Sequence, residues 1–452
     1  MNYAQLPVGW TIVRLADVCR RIIGGGTPPT VVQRYWNGQI PWISSADIYG
    51  LRDIRPRRKI SNEAIRDSAT NILHKGGIVV VTRVGLGKLA IAPFDLCFSQ
   101  DSQGLELYDA LVLGEYALLW LSRAVQTFKH ESRGTTVNGV TKKQLQNLQI
   151  LLPPLREQRR IVAKIEELFS ELDKGIEILK NAQQQLKVYR QAVLKWAFEG
   201  RLTGGNVEEG ELPKGWRRVK LGTVIEQPRY GTSRKCDYNP AGKGVLRIPN
   251  ISNGIVDDSD LKFAEFDQRE IQTYELKRGD LLTIRSNGSV GLVGKCCLVT
   301  AKDEDYLFAG YLIRLRPLQA RILSRFLYYV LSSQGLRVQI EARAKSTSGV
   351  NNINSDELRS LTIPICPISK QRRIVSQIES RLSVVDKLEE AVSQSLQQAD
   401  TFRQSILNKA FEGRLVPQDP TDEPAGRLLK RIKAGRTRRP PQRKAREKKV
   451  VQ

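Results

Sequence analysis

Histidine is scarce in this 452-residue chain and cysteines are never paired in a motif, which excludes several chemistries at once. Two histidines, His74 and His130, are too few for a usual Cys/His zinc cluster. Six cysteines (Cys19, Cys97, Cys236, Cys296, Cys297 and Cys366) form no C-x-x-C pair, so free thiols in a reducing compartment are expected. No phosphate-binding G-x-x-x-x-G-K-[ST] loop occurs. Gly85-Leu86-Gly87-Lys88 and Gly294-Lys295 lack its spacing and its following hydroxyl, which argues against an NTPase. Asn239-Pro240 is followed by Ala241-Gly242 instead of the proline and aromatic residue of an adenine-methylase motif, and reads as a turn. Acidic pairs such as Asp257-Asp258 are scattered, whereas metal-dependent nuclease chemistry needs clustered carboxylates. The most apolar run, Leu105–Leu121, contains Glu106, Asp109 and Glu115 and is too short to span a bilayer. The start, MNYAQLPVGW, has no charged region leading into an apolar core, so no signal peptide is read and a cytoplasmic location is expected.

Positive charge, by contrast, is abundant. Lys and Arg number 72 against 47 Asp and Glu, a formal net charge of +25. Residues 427–452 hold +11 of it, which leaves +14 on residues 1–426. The body of the chain is basic in its own right and favours a polyanionic partner, because each neutralised phosphate releases counterions.

The chain also repeats itself. Leu6-Pro7-Val8-Gly9-Trp10 returns as Leu212-Pro213-Lys214-Gly215-Trp216, and Val13-Arg14-Leu15 as Val219-Lys220-Leu221, both 206 residues on. Gln158 to Val162 returns at Gln371 to Val375, and Phe198-Glu199-Gly200-Arg201-Leu202 at Phe411 to Leu415, both 213 residues on. Across Gln158–Leu202, 22 of 45 positions match their copies, so the chain is an internal duplication. The interiors diverge: RRIIGGGTPPT from Arg20 has no copy in IEQPRYGTSRK after Val224. Two modules with different ligand preferences would give this pattern, and so would free drift of loops.

After Pro153-Pro154, apolar residues recur at Ile161, Ile165, Leu168, Leu172, Ile176, Leu179, Ala182, Leu186, Tyr189, Val193 and Trp196. Every step is three or four residues, the signature of a long amphipathic helix with coiled-coil-like spacing. The second copy gives Ile374, Ile378, Leu382, Val385, Leu388, Val392, Ala399, Phe402 and Ile406. Roughly 40 residues make a rod of about 60 Å. Gly200 and Gly413 are plausible C-cap glycines. The two stripes can bury each other or take a helix from a partner. Ahead of each rod, β-rich runs (Ile78–Thr82, Leu281–Arg285, Cys297–Thr300) alternate with glycine turns and with helical patterns near Leu111–Leu121 and Ile322–Leu331.

These residues resemble a known family. L-P-x-G-W, the loop Gly25 to Pro28, and Tyr35-Trp36 leading to Ile40-Pro41-Trp42-Ile43-Ser44-Ser45-Ala46-Asp47-Ile48 are similar to the first target-recognition domain of type I restriction-modification specificity subunits. So are Gly76-Gly77-Ile78-Val79 and its match Gly279-Asp280-Leu281-Leu282. Leu152 to Val162 resembles the start of that family's helical region, and Phe-Glu-Gly-x-Leu its end. The likeness covers about residues 1–415. In the second copy Lys370 stands where the first has Glu157.

The resemblance implies an α+β fold: two tandem globular target-recognition domains, each followed by a long α-helix, the helices pairing as an antiparallel coiled-coil spacer. The expected divisions are recognition domain 1 at 1–153, a helical region at 154–203, recognition domain 2 at 204–366, a second helical region at 367–415, and a basic tail without structure at 416–452. It also implies a non-catalytic chain. Each domain reads one half of a bipartite, asymmetric target in double-stranded DNA, and the helices set the gap. Two modification (methyltransferase) subunits and the motor-nuclease restriction subunits are the implied partners. S-adenosylmethionine belongs to the modification subunit, ATP and Mg to the restriction subunit, and no cofactor to this chain. The alternatives are a stand-alone DNA methyltransferase or nuclease with an unrecognised site, and a scaffold that binds DNA without sequence preference.

Residue chemistry selects the candidates for DNA contact. Arg and Lys suit phosphate or guanine, Asn and Gln suit adenine, and Gly, Ser and Thr loops let backbone amides approach phosphate. In the first repeat these are Gly25, Gly26, Thr27, Ser44, Ser45, Arg83, Lys88, and the loop Arg133, Gly134, Thr135, Thr136 and Asn138. In the second they are Tyr230, Thr232, Ser233, Arg234, Lys235, Arg247, Asn250, Arg285, Ser286 and Asn287, with the loop Lys345, Ser346, Thr347, Ser348 and Asn351. Tyr35, Trp36 and Trp42 are expected in the core rather than as stacking platforms.

Overall fold

The computed structural model describes residues 6–131, 139–203, 211–251, 254–347 and 349–437. The chain forms two compact units: Met1–Glu177 with Leu396–Gln452, and Ile178–Ser395. Both boundaries fall inside the long helices, so each unit joins one globular domain to part of both helices.

Unit 1 contains β1 (Cys19–Gly24), β2 (Ile40–Ile43), β3 (Ile78–Val81), β4 (Leu89–Ile91), β5 (Leu96–Phe98) and β6 (Ser102–Leu107). One antiparallel sheet runs β1-β6-β3-β4. In a second sheet β2 and β5 pair in parallel, flanked by Arg58–Ile60 and Ile72–Leu73. β3 reads Ile-Val-Val-Val and is buried throughout. Its side chains alternate between two cores: Ile78 and Val80 face the helices, while Val79 and Val81 face the second sheet. Helix α1 (Gly114–Glu131) lies on the first core. Tyr35 and Trp42 are buried together, with Trp36 edge-on to Trp42 at 5.2 Å.

Unit 2 repeats the plan. It contains β7 (Arg229–Tyr230), β8 (Lys243–Leu246), β9 (Leu281–Ile284), β10 (Ser286–Asn287), β11 (Cys296–Leu298), β12 (Leu307–Phe308), β13 (Leu312–Leu315), β14 (Lys345–Thr347) and β15 (Val350–Asn352). The order β7-β13-β9-β11 reproduces β1-β6-β3-β4, and β8 pairs β12 in parallel as β2 pairs β5. A helix at Ser324–Ser332 buries Phe326, Leu327, Val330 and Leu331 in the place of α1. Unit 2 adds a small sheet, β10-β15-β14.

The rods are α2 (Leu155–Phe198) and α3 (Ile368–Phe411), 44 residues each. In unit 1, the first turns of α2 (Ile161, Val162, Ile165) share a core with the last turns of α3 (Leu407, Ala410, Phe411). In unit 2, Val193, Leu194, Ala197 and Phe198 of α2 share one with Ile374, Val375, Ile378 and Leu382 of α3. The helices therefore run antiparallel within each unit. One ion pair is used twice. Arg403 of α3 bonds Asp173 of α2 in unit 1. Arg190 of α2 bonds Asp386 of α3 at 2.5 Å in unit 2, with Glu389 at 2.9 Å. Both helices end on a glycine with positive φ, 80° at Gly200 and 70° at Gly413, as the sequence predicts.

A buried glutamine fixes each helix start to its globular domain. Gln158 Oε1 accepts the Leu113 N–H at 2.8 Å, and its Nε2 donates to the carbonyls of Leu111 and Pro153, both at 3.0 Å. Gln371 makes the same three bonds, to Leu323 N–H at 2.8 Å, Arg321 O at 3.0 Å and Cys366 O at 2.8 Å. The neighbouring position breaks the symmetry. Glu157 is buried and accepts the Trp10 Nε1–H at 3.0 Å. Lys370 instead reaches out to the Lys214 carbonyl at 3.3 Å. Burial pushes the Glu157 carboxyl above its ordinary range; Trp10 and Arg160 pull it down, and Asp422 pushes it further up.

The expectation that residues 416–452 lack structure is overturned for the described part. Ala425–Thr437 forms helix α4. Ala425 and Leu428 are buried in the unit 1 core, and Leu429 and Ile432 pack against it. This stripe is three- and four-spaced but diluted by lysines and arginines, which hid it in the sequence. Polar contacts complete the docking: the Ala425 N–H donates to Gly9 O at 3.0 Å, Arg160 pairs with buried Asp422 at 2.8 Å, and Lys433 pairs with Asp17 at 3.1 Å.

Two outcomes follow from the glutamine and its neighbour. Gln158→Ala strands one buried N–H and two carbonyls, and is expected to cost roughly 3 kcal/mol; urea denaturation and faster exchange of the Leu113 amide would register it. Glu157→Gln keeps an acceptor for Trp10. Because the folded-state pKa of Glu157 is raised, the wild type loses stability as pH climbs from its ordinary 4.5 through that raised value. The variant should therefore match the wild type near pH 4 and exceed it at pH 7 in thermal unfolding.

Candidate nucleic-acid interface

In unit 2 the fold gathers candidates that lie far apart in sequence. Arg285 follows β9, and its guanidinium sits over the Tyr230 ring, 4.7 Å from the centroid. Ser286 and Asn287 pair with Asn352 and Asn351, so β10 joins the hairpin β14–β15, which carries Lys345, Ser346 and Thr347. Asn351 Nδ2 donates to Gly288 O at 3.0 Å and closes the end of this patch. Tyr230, Arg285, Ser286, Asn287 and Asn351 thus form one polar surface with the β14 strand beside it. Two residues the sequence did not suggest belong to it. Tyr311 is 64% exposed and accepts the Arg285 N–H through its carbonyl at 2.8 Å. Asn352 has a buried Oδ1 without a hydrogen-bond partner. Tyr311 precedes β13 as Asp101 precedes β6.

Unit 1 builds the same corner with different side chains. Thr82 occupies the place of Arg285: its N–H donates to Asp101 O at 2.8 Å and its carbonyl accepts the Val140 N–H at 2.8 Å, as Arg285 does with Tyr311 and Ile353. Arg83 is exposed, with no partner for its guanidinium among the described residues. Thr27 is also exposed, and its hydroxyl donates to Gln100. Arg133, Gly134, Thr135, Thr136 and Asn138 lie outside the described residues, as does Ser348 in unit 2.

Other candidates are committed to internal bonds. The Gly25 and Gly26 amides donate to Ser102 O at 3.3 Å and Phe98 O at 2.9 Å, so they do not face outward for phosphate. A Cβ on Gly25 would lie 2.0 Å from the Ser99 carbonyl, and Gly231 meets Phe308 O at 2.2 Å in the same way. Close strand packing accounts for both glycines. Thr232 is buried and its hydroxyl accepts the Arg234 N–H at 3.1 Å. Ser44 donates to Asp47 at 2.8 Å from both its amide and its hydroxyl. Burial raises the Asp47 carboxyl, but the Ser44 amide, Arg57 and the Ser44 hydroxyl outweigh it and hold the group below its ordinary range. Asn250 serves the same turn in unit 2, accepting the Arg247 N–H at 2.8 Å and donating to Asp257 O at 2.8 Å. Lys88 Nζ donates to the carbonyls of Ser45 at 2.8 Å and Ile48 at 3.1 Å. Arg234 forks onto Glu270 at 2.8 Å, and Arg247 pairs with Asp260 at 2.9 Å. Ser233 and Lys235 remain exposed beside them. Among the described residues, no three His, Cys, Asp or Glu side chains are grouped to hold a metal, and no helix is long and apolar enough to cross a membrane.

The family model for the type I restriction modification DNA specificity domain matches residues 7–188 and again residues 213–398. The chain belongs to this family. The two matches begin at positions 7 and 213, the same offset as the repeated L-P-x-G-W, so each repeat is one specificity domain. This specificity chain is 30% identical over 455 residues to the type I restriction enzyme EcoKI specificity subunit of Escherichia coli (strain K12), covering 96% of this chain and 97% of the relative. It is 29% identical to the StySPI specificity subunit of Salmonella potsdam, over 68% of this chain and 67% of that one. The crystal structure of the HsdS subunit from Thermoanaerobacter tengcongensis superposes with a TM-score of 0.57 at 23% identity, covering 92% of this chain and 99% of that one. A chain from a structural study of complex assembly and conformational transition of the type I R-M system gives 0.73 at 23% identity, over 91% and 100%. At that identity the likeness concerns the fold.

For this specificity chain, paired and unpaired cations should behave differently. Arg83→Ala and Lys235→Ala are each expected to weaken DNA binding for all sequences and to lower the salt slope by about one. Arg234→Ala should instead lower the unfolding midpoint through loss of the Glu270 fork. Titrations of the assembled complex at several salt concentrations, beside thermal melts, separate the two.

Proposed function

We propose that each unit reads one half of a bipartite, asymmetric DNA target, with α2 and α3 setting the gap and docking two modification subunits. The observation that carries this reading is one backbone corner built twice with different side chains. Thr82, Arg83 and Asp101 in unit 1 stand where unit 2 has Arg285, Ser286 and Tyr311. A shared scaffold suits two copies of one partner, and unlike corners suit unlike half-sites. In this reading the chain supplies recognition only. Methyl transfer from S-adenosylmethionine takes place on the modification subunits, and ATP- and Mg-dependent cleavage on the restriction subunits.

Labelled S-adenosylmethionine and DNA test the division of labour. The purified chain alone should transfer no label, and addition of modification subunits should restore transfer at a split site with a fixed gap. Transfer by the chain alone would mean a stand-alone methyltransferase. Footprints that ignore sequence and vanish with salt would mean a non-specific scaffold.

A further inference from the structure

We infer that Arg285 reads a guanine in the half-site bound by unit 2, and that the exchange of Arg285 for Thr82 at the same backbone position makes the two half-sites differ. This rests on the DNA-reading function proposed above. Arg285 is held through its backbone and through its guanidinium. Its N–H donates to Tyr311 O at 2.8 Å and its carbonyl accepts the Ile353 N–H at 3.0 Å. The guanidinium carbon lies over the Tyr230 ring, 4.7 Å from its centroid. That ring is held by the pairing of Tyr230 with Ile313 and by the Ser355 N–H, which donates to its hydroxyl at 2.9 Å.

Despite this fixation, the charge is unanswered. Nε is buried without a hydrogen-bond partner, and no carboxylate among the described residues pairs with the group. Three other arginines of unit 2 do have a carboxylate: Arg234 has Glu270, Arg247 has Asp260 and Arg316 has Asp280. A half-buried guanidinium with no carboxylate beside it is open to an acceptor that a ligand supplies. Guanine offers O6 and N7 in the plane of the fork, the commonest specific arginine contact in the major groove. A phosphate also accepts a guanidinium in two bonds; what favours a base edge here is the company the group keeps. The neighbouring Ser286, Asn287 and Asn351 are also residues suited to base edges. In unit 1, Thr82 spends its hydroxyl on Asp101 O at 3.1 Å and has no fork to offer.

The test uses the complex with its modification subunits. Its target is first mapped as methylated motifs in DNA that it has modified. Arg285→Ala and Arg285→Lys complexes are then mapped and titrated with duplexes carrying each base, or 7-deazaguanine, at every guanine of the motif. The wild type should lose roughly 5- to 150-fold in affinity at one guanine of one half-site. Both variants should tolerate all substitutions there within a few fold, with the other half-site unchanged. Lys keeps the charge, so the variant remains informative if Ala impairs folding, which melts would reveal. Uniform weakening of all duplexes by Ala, with the motif intact in Lys, would overturn the inference in favour of a phosphate contact. An unchanged motif and affinity would overturn it too. A wild-type complex that methylates without any motif would instead sink the proposed function itself.

Discussion

A helix of 44 residues with an apolar stripe along its length cannot stand alone in water, since most helical stability in proteins comes from packing such a face. In this chain the end turns of each stripe are covered from two directions, while Leu388 and Phe402 farther along α3 stay exposed. The sheet domain covers one end, and the opposite end of the other helix covers the same turns. Ile161 and Ile165 therefore depend on Leu407 and Phe411, and Val193 and Phe198 depend on Ile374 and Ile378. This mutual dependence explains why the duplication is clearest in the helices. Arg190 and Arg403 are one position in two repeats, as are Asp173 and Asp386. A change in either copy breaks a pair that crosses between helices, so neither copy drifts freely.

The constraint passes from helix to sheet through the buried glutamines. Gln158 and Gln371 satisfy the backbone where the chain turns from domain to rod, and each has the same three partners. Farther in, β3 and β9 are buried between two cores and have no solvent face on which to vary. Freedom begins just past the strand ends. Thr82 and Arg285 sit there, with identical backbone bonds and unlike side chains. Rigid strands that end in variable residues are a physical means of changing a ligand without refolding a domain.

Periodicity and repetition made the rods, their glycine ends, β3 and β9 legible in the sequence, because each leaves a regular trace. The partners of polar side chains leave none. Arg234 and Glu270 are 36 residues apart and Lys88 and Ser45 are 43 apart, so nothing local distinguishes a committed cation from a free one. Gly25 and Gly26 look like a phosphate loop by composition, yet their amides close a sheet corner. Pairing also works in the other direction: residue chemistry points to Ser286, Asn287 and Asn351 separately, and strand pairing makes them neighbours. Helix α4 was missed because its four apolar residues are set among basic ones, and the surface that covers them lies more than 400 residues earlier, at Gly9 and Asp17.

That same helix changes what the basic charge means. Lys433 pairs with Asp17 and Arg431 with Glu423, so part of the C-terminal charge holds this helix in place. A net charge counts such residues together with Arg83 and Arg285, which have no carboxylate partner among the described residues. For a DNA-reading chain the informative quantity is therefore the number of fixed cations left without an acid, together with where the fold sets them. The two repeats put unlike side chains at the corner past β3 and β9, Thr82 in one and Arg285 in the other, on the same backbone bonds.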